Sequence, residues 1–249
     1  MSPVRTLVIG IPLPHVTFDN YSFISAPAFS DYDGLIVETA AASTAIEDVI
    51  SGVGDHKTFA GQPIHNAPST ADAFSLCRLL QMRRRETEWF FARGGTIVCF
   101  VHPDVAHPQV AEDCGWRRYS WLPAPAGFRY EDHLLPGFGT PGAELTAEDH
   151  PFAPFIAKFA PRLAYRATID DTAPNFSDYA RILARTRAGA PIAADLAAGN
   201  GRTILLPPIL KLEPDRPAIA RSLFDSLERL GAPSVRPDES KGPSDVSEG

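Results

Sequence analysis

The stretch Arg83 to Asp104, RRRETEWFFARGGTIVCFVHPD, constrains the fold more than any other part of the chain. An arginine-rich helical segment stops at Gly94-Gly95, the signature of a C-cap in which glycine takes the left-handed conformation that other residues avoid. Thr96 to Val101 follows as a β-branched, apolar run of strand length, and a strand without polar alternation is one buried on both faces. His102, Pro103 and Asp104 then stand at the carboxyl end of that strand, where α/β proteins place their ligands.

The remaining punctuation predicts more elements of the same kind. Val4 to Ile11 reads as a first buried strand halted by Pro12 and Pro14, and Leu35 to Val37 as a second that ends at Glu38 and Thr39. Ala40 to Val49 is expected to form a short helix and Ser51 to Ser69 a surface loop. Ser69 or Thr70 caps a long helix reaching Phe91. Trp116 to Leu122 and Arg162 to Ile169 read as strands, Pro123 to Gly142 as a Pro/Gly-rich passage, and Glu148 to Phe159 as helical after Pro151. Pro191 to Leu196 and Arg202 to Leu206 flank a loop containing Asn200-Gly201, a hairpin signal that predicts an antiparallel edge. Ile219, Leu223, Leu227 and Leu230 share one face of a closing helix over Asp215 to Leu230. The expected fold is therefore α/β, a mostly parallel sheet with helices on both faces and a C-terminal antiparallel hairpin. One domain over residues 1–232 and a disordered acidic tail over 233–249 are expected.

Charge and composition narrow the function. A formal charge of -7 disfavours a broad nucleic-acid surface, which needs concentrated Lys and Arg to displace counterions. The apolar start is too short, and too soon broken by proline, for a signal peptide or a membrane span, so a cytoplasmic protein is expected. Cys77, Cys99 and Cys114 lack paired spacing, which predicts reduced thiols. There is no phosphate loop, no GxGxxG after a strand and no GxSxG elbow. No cofactor is expected, and no metal, because Asp104, His107 and Asp113 fit no standard ligand spacing.

The strand exits supply the candidates. His102, Asp104 and Glu38 are the expected catalytic set, suited to general acid/base work, and His15, Thr39 and His150 the expected ligand-binding set. Each has a structural alternative. The histidines can brace loops, Asp104 can cap the turn that follows it, and His150 before Pro151 can simply start a helix. Phe18, Tyr21, Phe23, Tyr119 and Trp121 can line a pocket or pack the core, and Arg83 to Arg85 can form a solvated face or pair with Glu86 and Glu88.

With those residues in view, the chain resembles the class I glutamine amidotransferase-like fold, most nearly its ThuA-like proteins associated with sugar utilisation. The resemblance rests on Gly94-Gly95 leading through an apolar strand to His102, on Asp149-His150-Pro151, and on the closing hairpin from Pro191 through Arg202 to Pro207. Amidotransferases of that superfamily use a cysteine on a sharp strand-to-helix elbow, and this sequence has no such elbow. Cys99 lies inside a strand, where burial raises rather than lowers a thiol pKa. The resemblance thus implies a catalytically degenerate amidotransferase-like domain acting as a ligand-binding or protein-interaction module. The alternative is a ThuA-like enzyme acting on a small polar metabolite such as a sugar derivative, with His102 as acid/base and Glu38 or Asp104 assisting. Either a protein partner or such a metabolite is the expected ligand, and the oligomeric state is left open.

Overall fold

A computed structural model describes residues 4–41, 43–44, 70–105, 116–139, 142–210, 213 and 215–231. Residues 45–49 of the expected helix, the expected loop 51–69 with the Ser69 cap, the His107, Asp113 and Cys114 positions and the expected 233–249 tail lie outside the described residues.

Eight strands form one sheet in the order β2-β1-β3-β4-β10-β9-β8-β6. Their ranges are β1 Thr6–Ile9, β2 Phe18–Tyr21, β3 Gly34–Glu38, β4 Thr96–Phe100, β6 Glu144–Leu145, β8 Ala180–Arg185, β9 Pro191–Ala198 and β10 Gly201–Leu206. Pairings from β2 across to β10 are parallel, and those from β10 out to β6 are antiparallel. β5 (Leu134–Pro136) and β7 (Ala167–Ile169) make a separate antiparallel pair. The α/β expectation holds, and its one topological correction concerns the hairpin. β9 is interior, because β8 and the two-residue β6 continue the sheet beyond it.

Uniform apolarity explains the central strands. All five residues of β4 are buried, Ile97 and Cys99 facing one core and Val98 and Phe100 the other. The first core lies under α1 (Thr70–Ala92), through Leu76, Leu80, Phe90 and Phe91; the second lies under α2 (Ala153–Phe159) and α3 (Arg216–Leu230). Each such side chain contributes roughly 1.5–3 kcal/mol by leaving water.

The junction anticipated at Gly94-Gly95 is a Schellman cap. Gly94 has φ 89°, its N–H donates to Phe91 O at 2.9 Å, and the Gly95 N–H donates to Phe90 O at 2.9 Å. The hairpin closes against this cap, for Asn200 Nδ2 donates to Ala92 O at 3.0 Å.

Three local expectations are corrected. Trp116 to Leu122 is mostly a series of tight turns, in which Ser120 N–H donates to Arg117 O and Leu122 N–H to Tyr119 O; its alternating aromatics are buried, and no strand among the described residues runs beside it. Arg162 to Ile169 holds strand only at Ala167–Ile169, following a 3-10 turn at Ala160–Arg162. Cys77 is disulfide-bonded, whereas Cys99 is a free buried thiol; linear spacing does not report which sulfurs a fold brings together.

Candidate active site

β3 and β4 run parallel with Glu38 level with Phe100, so both strands release their chains at the same edge of the sheet. The Glu38 side chain reaches across to His102, and Glu38 Oε1 lies 2.7 Å from His102 Nε2. The pair is close but the ring N–H is not aimed along the line between the atoms, so the contact is an ion-pair approach rather than an aligned hydrogen bond. Both side chains are about one-fifth exposed, at 20% and 19%, while His102 Nε2 itself is buried against the carboxylate. Glu38 is oriented from behind as well: its Oε1 accepts the Ala40 N–H at 3.2 Å, in the helical turn that opens at Thr39.

His102 is held by its main chain. The Tyr119 hydroxyl donates to His102 O at 2.6 Å and accepts the His102 N–H at 3.1 Å. Thr39 Oγ1 donates to Phe100 O at 2.8 Å and lies 3.2 Å from the same Tyr119 hydroxyl. A hydroxyl has one proton to give, so Thr39 secures β4 while Tyr119 secures the residue beyond it. Burial, opposed only in part by the Thr39 bond, pushes the Tyr119 phenol well above its ordinary pKa, so it serves as a neutral donor. A second brace is Arg118, which donates to Ser43 Oγ at 2.9 Å and to Pro103 O.

Of the six sequence candidates, the fold brings Glu38, Thr39 and His102 together. Thr39 is fully buried and spends its hydroxyl on the protein, so it is a structural tie rather than a ligand contact. Asp104 turns away into an ion pair, its Oδ2 2.6 Å from Arg117 Nε, with no ion pair or hydrogen bond to His102 or Glu38 among the described residues. His15 is misplaced by reading along the chain. β2 is parallel to β1, with Phe18 level with Thr6, so the connection carries His15 back to the amino edge of the sheet. There its ring stacks on Phe224 at 4.4 Å, and burial, then the Arg221 charge, lower its pKa. His150 is also elsewhere: its Nε2 lies 3.2 Å from Asp195 Oδ2 and its Nδ1 accepts the Phe152 N–H, so it braces the approach to α2. Asp195 Oδ2 is shared with Arg202 Nη1 at 3.3 Å.

Cys99 sits in β4 beneath this edge with no exposed surface. Desolvation, and after it the negative charge of Glu38, drive its thiol far above the ordinary range, the reverse of what a nucleophile needs. The residue that sequence reasoning misses is Tyr119. It is visible there only as one aromatic among several, and nothing in the local sequence reports that its hydroxyl clamps His102. No group of three or more His, Cys, Asp or Glu among the described residues is placed to hold a metal ion, and no described helix is long and apolar enough to cross a membrane.

The sequence matches no protein-family model and no curated protein. Among solved structures, the chain is similar to the cytoplasmic protein STM1381 of Salmonella typhimurium LT2, at 12% identity and TM-score 0.46, over 90% of this chain and 98% of that one. It is similar to the cytoplasmic protein STM3548 of Salmonella typhimurium, at 12% identity and TM-score 0.44, over 91% and 98%. A third likeness is to a candidate GMP synthase component of Thermoplasma acidophilum, at 8% identity and TM-score 0.40, over 92% and 97%. These likenesses concern the arrangement of the chain and carry no chemistry to it.

Proposed function

We propose that the protein is an enzyme of ThuA-like type, acting on a small polar metabolite at the carboxyl ends of β3 and β4, with His102 as the proton donor and acceptor. The observation that supports this reading is the Glu38–His102 approach of 2.7 Å at a partly open strand exit. A carboxylate within reach of an imidazole is a constellation that general acid/base catalysis uses, and such pairs commonly come into hydrogen-bond alignment only when substrate is bound. Glu38 is the positioning residue. The inert Cys99 thiol argues against a cysteine nucleophile there, so thiol-based amide hydrolysis is not part of the reading.

The test is metabolite consumption. The full chain is incubated with a small-molecule extract of its own host, and depleted species are read by mass spectrometry. Wild type depletes a polar metabolite; His102→Ala slows that depletion by roughly 10²–10⁴-fold, the usual worth of a general acid/base. Glu38→Gln lowers kcat while leaving KM unchanged. Depletion that is equally fast in His102→Ala and wild type overturns the assignment of His102, and a wild type that depletes nothing leaves the non-catalytic binding module.

A further inference from the structure

Next to this edge, between α1 and the turns that follow Trp116, lies a cavity of about 260 Å3 lined by Arg84, Asp104, Arg117, Tyr119, Phe128 and Arg129, among others. We propose that this cavity binds a small hydroxylated carboxylate, with Asp104 Oδ1 as the acceptor for its hydroxyl and Arg117 as the partner of its acid group. The proposal deepens the reading of the strand exit as a metabolite site and rests on it only for the ligand's being a substrate.

Asp104 carries the argument. Its side chain is 2% exposed, and its Oδ2 takes Arg117 Nε, yet its Oδ1 has no hydrogen-bond partner among the described residues. Buried polar atoms are nearly always paired, because an unmade bond there carries the full desolvation penalty. An ionised carboxylate only accepts, so the matching group is a donor, a hydroxyl or an N–H.

Charge selects between the possible donors. The lining has three guanidinium groups, of Arg84, Arg117 and Arg129, against two carboxylates, of Asp104 and Glu131. Arg84 is paired with Glu88 and Arg129 with Glu131 and Asp132, so the uncommitted positive groups are the terminal nitrogens of Arg117, and these favour an anion over an ammonium ligand. Arg117 commits only its Nε to Asp104, and its terminal nitrogens make no hydrogen bond among the described residues. Those nitrogens form half of the planar fork that guanidinium presents to a carboxylate. The volume is below the roughly 300–1,000 Å3 typical of drug-sized ligands, which points to a compact metabolite. Tyr119 joins the two regions: it lines this cavity, and its hydroxyl holds the His102 main chain.

Gluconate, which has both hydroxyls and a carboxylate, is the probe, with glucose and hexanoate as the comparators lacking one or the other. Binding to the full chain is followed by shifts of backbone amide resonances. Gluconate is expected to bind at least tenfold more tightly than either comparator. Asp104→Asn is expected to weaken it by a further tenfold or more, the worth of a charge-assisted hydrogen bond. Ala124→Trp, a substitution at an exposed lining residue that leaves the core untouched, is expected to block it. His102→Ala is expected to keep it. Equal binding of glucose removes the acid-group assignment, and undiminished binding in both Asp104→Asn and Ala124→Trp overturns the pocket. Binding lost in His102→Ala but kept in Ala124→Trp places the ligand at the strand exit alone, which overturns the inference while leaving the proposed function standing.

Discussion

Replacing Tyr119 with phenylalanine removes one oxygen and isolates its contribution. The hydroxyl serves both main-chain groups of His102, accepting the N–H at 3.1 Å and donating to the carbonyl at 2.6 Å, in a residue only 2% exposed. Thr39 keeps its bond to Phe100 O, so the loss falls on His102. A buried group left without its partner costs about 1–3 kcal/mol, and two such groups with some local relaxation give about 2–4 kcal/mol. That is a large fraction of the roughly 5–15 kcal/mol by which domains are stable, and for a chain of this size it lowers Tm by roughly 5–15 °C. Tyr130 supplies the control. It stacks on Tyr119 with ring centroids 4.9 Å apart, and its hydroxyl donates one bond, to Pro123 O at 3.2 Å. Tyr130→Phe is therefore expected to cost about 1 kcal/mol. Urea unfolding of the two variants, compared at unchanged m-value, reads the difference directly. A midpoint loss for Tyr119→Phe no larger than for Tyr130→Phe refutes the clamp.

Other outcomes follow from the same structure. Gly201→Ala places a methyl 2.5 Å from Phe91 Cγ and 2.7 Å from its Cα, and is expected to cost at least about 1–3 kcal/mol in chemical denaturation. Gly199→Ala meets no neighbour but must keep φ 61°, and is expected to cost only about 1 kcal/mol. Tyr32 has its phenol pushed up to about 12, by burial first and its bond to Asp19 second. The folded chain therefore holds that proton after the unfolded chain has lost it, and stability falls as pH rises from about 10 to about 12; Tyr32→Phe flattens that part of a stability-versus-pH curve. His15 has a lowered pKa, so its contribution is present above the ordinary histidine range and lost on acidification. His15→Leu is expected to reduce the acid sensitivity of unfolding and leave metabolite depletion unchanged, and a loss of depletion returns His15 to the site.

The parts of this fold that are legible in the sequence are those whose physics is local. Gly94-Gly95 ends a helix because only glycine adopts φ 89° freely, and β1, β3 and β4 announce themselves because burial on two faces demands unbroken apolar runs. β2 is hidden because only Phe18 of its four residues is buried, leaving a strand with polar residues in the sheet's edge position. Spacing alone assigns Arg83, with its neighbours, to a solvated or paired face. The pairs with Glu86 and Glu88 form, yet Arg83 is itself 2% exposed and also donates to Ala26 O and Pro27 O, carbonyls more than fifty positions away. The same limit governs the site. Glu38 and His102 can be paired from strand-exit reasoning alone, whereas His15 is excluded only by knowing that the chain doubles back to β2. Chain order singles out Asp104 but joins it to His102 wrongly, because its partner, Arg117, belongs to a turn whose place no local pattern reveals.

The neighbours of β4 also set the order in which the molecule can be completed. On one side it pairs with β3, already made; on the other it pairs with β10, whose last residue, Leu206, is 106 positions after Phe100. At roughly 5–20 residues per second, a ribosome takes about 5–20 s to deliver that second neighbour. Throughout that interval the strand TIVCF, apolar on both faces, has one hydrogen-bonding edge open to any other extended chain. Newly synthesised protein is most exposed to aggregation in that window, and a slowed or truncated translation product ending before residue 201 is the form from which chaperones must protect the cell.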